Sequence, residues 1–294
     1  LGQTQKALEV YRAAVRRRPA NDSAKQSILR LLKQIGTPKE LETEYQRLAN
    51  ESFADPKFAL GLAEHLFRRE KRIAAFEQLD RLVQKYANDP GALEAAVELY
   101  IAHGGERKRI VSIYRRLQRL EPDSDEHAIR LGNYYFEQGD PVSAHKAWKH
   151  ILRIVPNASR AHLVLARVLA EHDLEVQAIK EYELAISNRS KTVHYRIEFA
   201  KWLTSVSRYR HASRVWADTL SVTNTSDYEL RFEIRERLVE TLYNHKILKV
   251  TLRKWVANLT MTPADTNAAL MVAMGYMKVK KNQRAIRILR NVQS

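Results

Sequence analysis

Small and aromatic residues recur along the chain at a nearly constant spacing. In each recurrence, a small or aliphatic residue is followed four positions later by an aromatic residue or leucine, as at Ala144 and Trp148. Successive pairs are 34 or 35 residues apart, except for one step of 39 residues between Ala212 and Thr251. The pairs are Ala7/Tyr11, Leu41/Tyr45, Ala75/Leu79, Ile110/Tyr114, Ala144/Trp148, Ala178/Tyr182, Ala212/Trp216, Thr251/Trp255 and Ala285/Leu289. A fixed period of this kind predicts an array of similar structural units.

Each unit is predicted to contain two helices. Apolar residues such as Ala178, Tyr182 and Ala185 follow the 3.6-residue period of a helix and mark the second one. The first helix carries a small residue inside an apolar run, most clearly Gly132 in the stretch 131–135. The small residue lets the two helices approach, and the aromatic residue fills the space between them. Because 34 residues cannot bury their own apolar faces, neighbouring units are expected to stack.

Polar residues predict where several helices begin. Asp55-Pro56 and Asp89-Pro90 place a capping carboxylate before a proline suited to the first helical position. Six N-x-[ST] sequences also occur, which allow either glycosylation or a role in the turns between units. The structural reading expects Ser23, Ser159 and Ser190 to cap the helices that follow. The six asparagines are Asn21, Asn50, Asn157, Asn188, Asn224 and Asn258.

The combined pattern L-G-x-x-Y, then G, then A-x-x-x-[FYW]-x-x-[AL], then P resembles the tetratricopeptide repeat over essentially the whole chain. This resemblance implies an all-α fold, a right-handed superhelical solenoid of about nine helix-turn-helix repeats that forms a single domain over residues 1–294. The 39-residue step predicts a longer turn near Asn224–Tyr228. The chain begins with Leu1 and inside a second helix, so we expect a fragment of a longer protein. The predicted units span about 1–20 (partial), 21–54, 55–89, 90–122, 123–156, 157–190, 191–225, 226–263 and 264–294.

The resemblance also implies a function, because members of this family bind partner segments in a concave groove lined mainly by first helices. A clamp for a C-terminal carboxylate of a chaperone would need Lys and Asn where Ile129 and Val164 stand, so we expect no binding of that type. The methionines instead predict either an adaptable apolar pocket or ordinary packing. At the family's groove positions, the candidate residues are Asn133, Phe136, Arg167, Lys201, Tyr243, Met274 and Met277.

Positive charge is concentrated at one end of the chain. The sequence has 50 Lys and Arg against 34 Asp and Glu, a net charge of +16, and the last fifty residues hold 10 basic residues and one acidic residue. This distribution indicates either a surface for an acidic partner or a solvated outer face. The candidate basic patch consists of Lys280, Lys281, Arg284, Arg287 and Arg290.

Signatures of chemistry are missing from the sequence. It has no cysteine, no phosphate-binding glycine loop, no nucleophile motif and no pair of histidines spaced for a metal on one helix. We therefore predict that this segment is not an enzyme and needs no cofactor or metal. No apolar run reaches the roughly 20 residues of a membrane helix, so no membrane span is expected.

The sequence thus predicts a scaffold that binds a protein or peptide, which its charge suggests is acidic. One alternative is a secretion or polysaccharide-export array that contacts an anionic polymer, and another is an RNA-associated scaffold. Binding to nucleic acid is the less favoured reading, because most aromatic residues occupy predicted core positions. A cytoplasmic location is slightly favoured over a periplasmic one, and the oligomeric state is left open.

Overall fold

The computed structural model describes residues 2–51, 55–187 and 193–293, which form helices joined by short turns, without a strand. The chain divides into two compact units, Leu1–His150 and Ile151–Ser294. In the described residues, no helix combines the length and apolar character needed to cross a bilayer.

The first unit contains one helix followed by four helix pairs. In each pair the second helix carries both positions of the repeat, such as Ala75 and Leu79 on α5 or Ala144 and Trp148 on α9. The helices are α1 (Gly2–Arg17), α2 (Asp22–Ile35), α3 (Pro38–Ala49), α4 (Pro56–Arg68), α5 (Arg72–Lys85), α6 (Pro90–Ala102), α7 (Arg107–Leu120), α8 (Glu126–Glu137) and α9 (Pro141–Trp148).

The second unit contains one short helix followed by four pairs. These are α10 (Ile151–Ile154), α11 (Ala158–Glu171), α12 (Glu175–Ala185), α13 (Val193–Ser205), α14 (Tyr209–Val222), α15 (Tyr228–Asn244), α16 (Leu248–Met261), α17 (Thr266–Lys278) and α18 (Asn282–Gln293). The predicted all-α array of helix-turn-helix pairs is therefore confirmed. The right-handed superhelix, the single domain over 1–294 and the unit boundaries stay predictions.

Close approach of a glycine to a large side chain joins helices within a pair and between neighbouring pairs. Trp148 is fully buried, and a Cβ added at Gly132 would collide with its indole ring. The same relation joins Gly275 to Leu252 in the second unit, where an added Cβ would lie 2.7 Å from the leucine Cδ2. Such distances are shorter than van der Waals contact, so an added Cβ would force the rigid indole to move at Gly132, whereas at Gly275 the flexible end of Leu252 can shift.

Helix capping agrees with the sequence at the aspartates and differs at the serines. Asp55 accepts a hydrogen bond from the Lys57 N–H, and Asp89 accepts one from the Ala92 N–H, as predicted. The serine caps are wrong at the two sites described, because Asn21 and Asn157 cap α2 and α11 with their own side-chain oxygens. An asparagine at the N-cap already satisfies an N–H of the first turn, which leaves the serine two residues later inside the helix. Ser190 lies outside the described residues.

The extra residues of the 39-residue step lie mainly in a helix, so the predicted longer turn is wrong. Helix α15 has 17 residues, against 13 in α13 and in α17. Asp227 caps it by accepting a hydrogen bond from the Leu230 N–H. In its first turn, the buried Arg231 donates from Nη1 to the carbonyl oxygens of Leu220 and Thr223. These contacts let the helix begin a turn earlier than its counterparts.

Ion pairs near the helix starts connect successive second helices. Arg107 at the start of α7 lies 2.5 Å from Asp140, which caps α9. Arg208 before α14 pairs in the same way with Glu175 at the start of α12. The backbone N–H of Ser143 and the Arg107 guanidinium together lower the pKa of Asp140 to about 2.

We expect Gly132→Ala to destabilise the fold by about 1–3 kcal/mol, because the new methyl group overpacks against Trp148. Gly91→Ala is the matched control, since its Cβ would meet only an Asp89 oxygen at 3.6 Å. In a helix this control should be neutral or gain up to about 1 kcal/mol. Urea unfolding followed by circular dichroism measures both, and equal effects of the two substitutions would contradict the packing account.

The contribution of Asp140 to stability should depend on pH in a defined window. Its folded pKa is below the ordinary value of 3.8, so its stabilising effect is fully present above about pH 4. That effect should disappear as the pH falls towards 2. Asp140→Asn keeps a capping oxygen and removes the charge, so the difference in unfolding free energy between the two proteins should shrink over this window. A difference that stays constant from pH 5 to about pH 2 would rule out the charge as its source.

Candidate functional site

The first helices of the second unit carry most of the predicted groove residues. Arg167 lies on α11, Lys201 on α13, Tyr243 on α15, and Met274 and Met277 on α17. Four of them are exposed, and Met274 is half-buried against the core. We call the surface formed by the exposed side chains of α11, α13, α15 and α17 the first-helix face.

Ion pairs bridge consecutive helices across the first-helix face. Arg167 donates from Nε and Nη2 to the two carboxylate oxygens of Glu198, both at 2.6 Å. Lys201 Nζ lies 3.3 Å from Glu233 on α15. The pKa of the Arg167 guanidinium is raised, and the largest cause is its hydrogen bonding to Glu198. The two predicted groove cations are therefore already engaged by carboxylates of this chain.

The face changes character at α15 and α17, which pack against each other. The Tyr243 side chain is 49% exposed and that of Met277 is 58% exposed. Lys278 Nζ lies 5.4 Å from the centre of the Tyr243 ring and 3.7 Å from Glu240. We call Tyr243, Met274 and Met277 the apolar patch, which is bordered by this one ion pair.

Two further exposed aromatic residues of α15, Tyr228 and Phe232, were missed by the sequence reasoning. Phe232 is 53% exposed and lies eleven residues before Tyr243 on α15. That spacing corresponds to three helical turns and about 16 Å, which places both rings on one side of the helix. The signal for Phe232 is its i, i+11 spacing to Tyr243, but Phe232 does not occupy one of the family's groove positions.

The remaining two predicted groove residues belong to the first unit and contact its core. Asn133 Oδ1 accepts a hydrogen bond of 3.0 Å from Trp148 Nε1. The Phe136 ring lies with its centre 5.7 Å from that of Trp148. Both side chains are half-buried, so they support the tryptophan that fills the helix pair.

The predicted basic patch lies on the last helix pair, outside the first-helix face. Lys280 and Lys281 lie in the turn before α18, and Arg284, Arg287 and Arg290 lie on it. All five are exposed. The Arg284 guanidinium lies 5.9 Å from the centre of the Tyr276 ring. Within the described ranges, none of the five forms an ion pair with a carboxylate.

Metal-binding side chains are not grouped in the part of the chain that the structure describes. No set of three or more His, Asp or Glu residues there is arranged to hold an ion. Three carboxylates of these helices, Glu198, Glu233 and Glu240, instead form ion pairs with Arg167, Lys201 and Lys278.

The architecture is defined by paired helices at a period of about 34 residues, with glycines such as Gly132 and Gly275 facing large side chains of the adjacent helix. The chain has the fold of a tetratricopeptide-repeat array. No family model matches its sequence.

Known proteins resemble this array at low identity. The human protein named Protein O-mannosyl-transferase TMTC1 is 22% identical over 186 residues, which cover 61% of this chain and 21% of that protein. The chain thus matches about a fifth of that relative's length. Among solved structures, the C-terminal part of a TPR repeat-containing protein from Cytophaga hutchinsonii is 16% identical, covering 77% of this chain and 94% of its own, with a TM-score of 0.42. A tetratricopeptide repeat protein from Parabacteroides merdae is 12% identical over 100% of both chains, with a TM-score of 0.36.

Two substitutions should separate core support from surface exposure. Asn133→Ala removes the acceptor of the Trp148 N–H and should lower the unfolding free energy by about 1 kcal/mol. Met277→Ala truncates an exposed side chain and should change it by less than about 0.5 kcal/mol. Urea unfolding gives both values. A neutral Asn133→Ala would show that the carbonyl of Ile129, 3.3 Å from Trp148 Nε1, suffices as its acceptor.

Proposed function

We propose that this chain is a protein-interaction scaffold that binds a partner segment along the first-helix face of its second unit. The observation that carries the proposal is the exposure of Tyr243 and Met277 beside the half-buried Met274. Exposed apolar side chains grouped in this way, with polar residues at their border, are typical of binding surfaces.

The composition of the face indicates what kind of segment it binds. Methionine side chains are flexible and polarisable, so the apolar patch adapts to different apolar residues. Tyr243 adds a rigid ring with a polar end, a common anchor in interfaces. Glu240 and Lys278 at the border offer one charge of each sign to polar groups of the segment. The partner is therefore a peptide segment with a large apolar anchor residue and flanking polar groups.

The paired charges on α11 and α13 limit what binds beside the patch. A carboxylate of the partner that approached Arg167 would have to displace Glu198, which holds the guanidinium through two hydrogen bonds. This part of the face therefore positions the bound segment through polar contacts, and the apolar patch supplies most of the binding affinity. The same engagement of carboxylates supports a binding role rather than a catalytic one.

The transferase activity in the human relative's name concerns a protein about five times as long as the matched segment. We propose that the segment shared with it serves in binding. In a longer protein, such an array would hold a polypeptide substrate or partner while another region acts on it.

The proposal predicts which residues a selected ligand needs. Peptides are selected from a random display library on the intact chain. They should bind the Tyr243→Glu/Met277→Glu variant at least about tenfold more weakly than the unchanged chain, because a buried unpaired charge opposes an apolar anchor. Fluorescence anisotropy of the labelled peptides measures this. Val142→Glu/Val176→Glu is the matched control, since these exposed valines lie on the second helices α9 and α12.

Selected peptides should bind the control variant with unchanged affinity. Equal losses in both variants would point to a general effect of charge. Peptides that bind the Tyr243→Glu/Met277→Glu variant as well as the unchanged chain would overturn the proposal.

A further inference from the structure

The repeat places a cation at one equivalent position in each second helix of the second unit. In α12, α14, α16 and α18, the residue two positions after the small or short residue of the repeat is Lys or Arg. Equivalent positions of stacked repeats lie on the same side of the array. All four side chains are exposed. We call this set the cationic column: Lys180, Arg214, Arg253 and Arg287.

The column differs from the first-helix face in how its charges are satisfied. In the described part of the chain, none of its four cations forms an ion pair, whereas Arg167 and Lys201 both do. From α14 to α18, Asp218 is the one acidic residue within a second helix. The column is flanked by further cations: Arg210, Lys249, Lys254, Arg284 and Arg290.

A hollow of about 540 Å³ lies on the column at the start of α14. Its walls include Arg210, Arg214 and His245, and one carboxylate, that of Glu183. A third arginine of the wall, Arg208, is engaged by Glu175, and His211 lies 3.4 Å from Glu183. Arg210 and Arg214 form no ion pair within the described residues, so the hollow can receive an anionic side chain from a ligand.

We propose that the cationic column binds an acidic polypeptide segment, which runs across α12, α14, α16 and α18 and places one carboxylate in the hollow. Charge complementarity over four helices gives such a segment a defined path. This surface is separate from the first-helix face, so the array would hold two different segments.

The geometry favours a chain over a membrane surface. At α12 the strip is a single cation wide, because none of the exposed helix neighbours of Lys180 is a cation; they are Val176, Gln177, Glu183 and Leu184. A bilayer would instead need charge spread over two dimensions.

The placement of aromatic residues favours polypeptide over single-stranded nucleic acid. Base stacking requires exposed rings close to the cations. The exposed tyrosine and phenylalanine rings of the described second unit are Tyr228, Phe232 and Tyr243, and all three lie on the first helix α15. Tyr209 lines the hollow but is half-buried, with its ring centre 6.4 Å from that of His245.

The test is binding of fluorescently labelled poly-L-glutamate to the intact chain, measured from about 0.05 M to about 0.3 M salt. The column variant is Lys180→Glu/Arg214→Glu/Arg253→Glu/Arg287→Glu. The control variant Arg12→Glu/Lys39→Glu/Arg81→Glu/Lys108→Glu reverses four exposed cations of the first unit and changes the net charge by the same amount. Circular dichroism checks that each variant is folded, and the corresponding glutamine variants replace any that is not.

We expect the column variant to bind poly-L-glutamate at least about tenfold more weakly, and the control variant to lose less than about threefold. Binding should also weaken as salt rises. Tyr243→Glu/Met277→Glu should retain it, so failure of this proposal and failure of the groove proposal are distinguishable.

Two parallel ligands complete the test: polyuridylate and vesicles of phosphatidylcholine with phosphatidylserine. Tighter column-dependent binding of either one than of poly-L-glutamate would overturn the proposal in favour of that ligand class. Equal losses in the column and control variants would overturn it in favour of bulk charge, as would the absence of measurable binding to poly-L-glutamate at low salt.

Discussion

The contact between a residue without a side chain and a large side chain of the adjacent helix determines how this array is built. Gly132 lets the indole of Trp148 lie against the backbone of α8, and Asn133 then accepts the indole N–H. The same contact between Gly275 and Leu252 connects α16 to α17 in the other unit. Helix spacing fixes which residues of each helix point outward, so the exposed stripes on first and second helices follow from these core contacts. Any change in the spacing would move the candidate binding residues as well.

The parts of the fold that depend on neighbours within one repeat could be predicted from the sequence. The period and the aspartate–proline starts at Asp55 and Asp89 each rest on residues a few positions apart. The serine caps failed because the helices begin directly after the asparagines: Asn157 is the N-cap of α11, and Ser159 lies inside its first turn. The length of α15 failed for a different reason. It depends on Arg231 reaching back to Leu220 and Thr223, a contact that no local pattern indicates.

The candidate site was predicted less completely, because its character depends on pairs between repeats. Arg167 and Lys201 were identified by position, but the carboxylates that engage them are 31 and 32 residues away. The patch residues Tyr243 and Met277 were found because the resemblance specified their register. The basic residues at the end of the chain were found by counting charge. Their position in line with Lys180 and Arg214 depends on the stacking of the second helices, which a count of charge does not include.

Ion pairs that join one repeat to the next have a consequence for how such a chain can change over generations. Glu198 holds Arg167 of the preceding repeat and also lies 3.5 Å from the Tyr182 hydroxyl. A repeat of this kind thus supplies one partner of an ion pair at each of its two borders. Duplication or loss of a whole repeat would preserve the helix count but bring together partners that do not match. A rearranged gene in this region would therefore keep these ion pairs only where the residues at the two borders are interchangeable. The order of the repeats is then constrained along with their sequences.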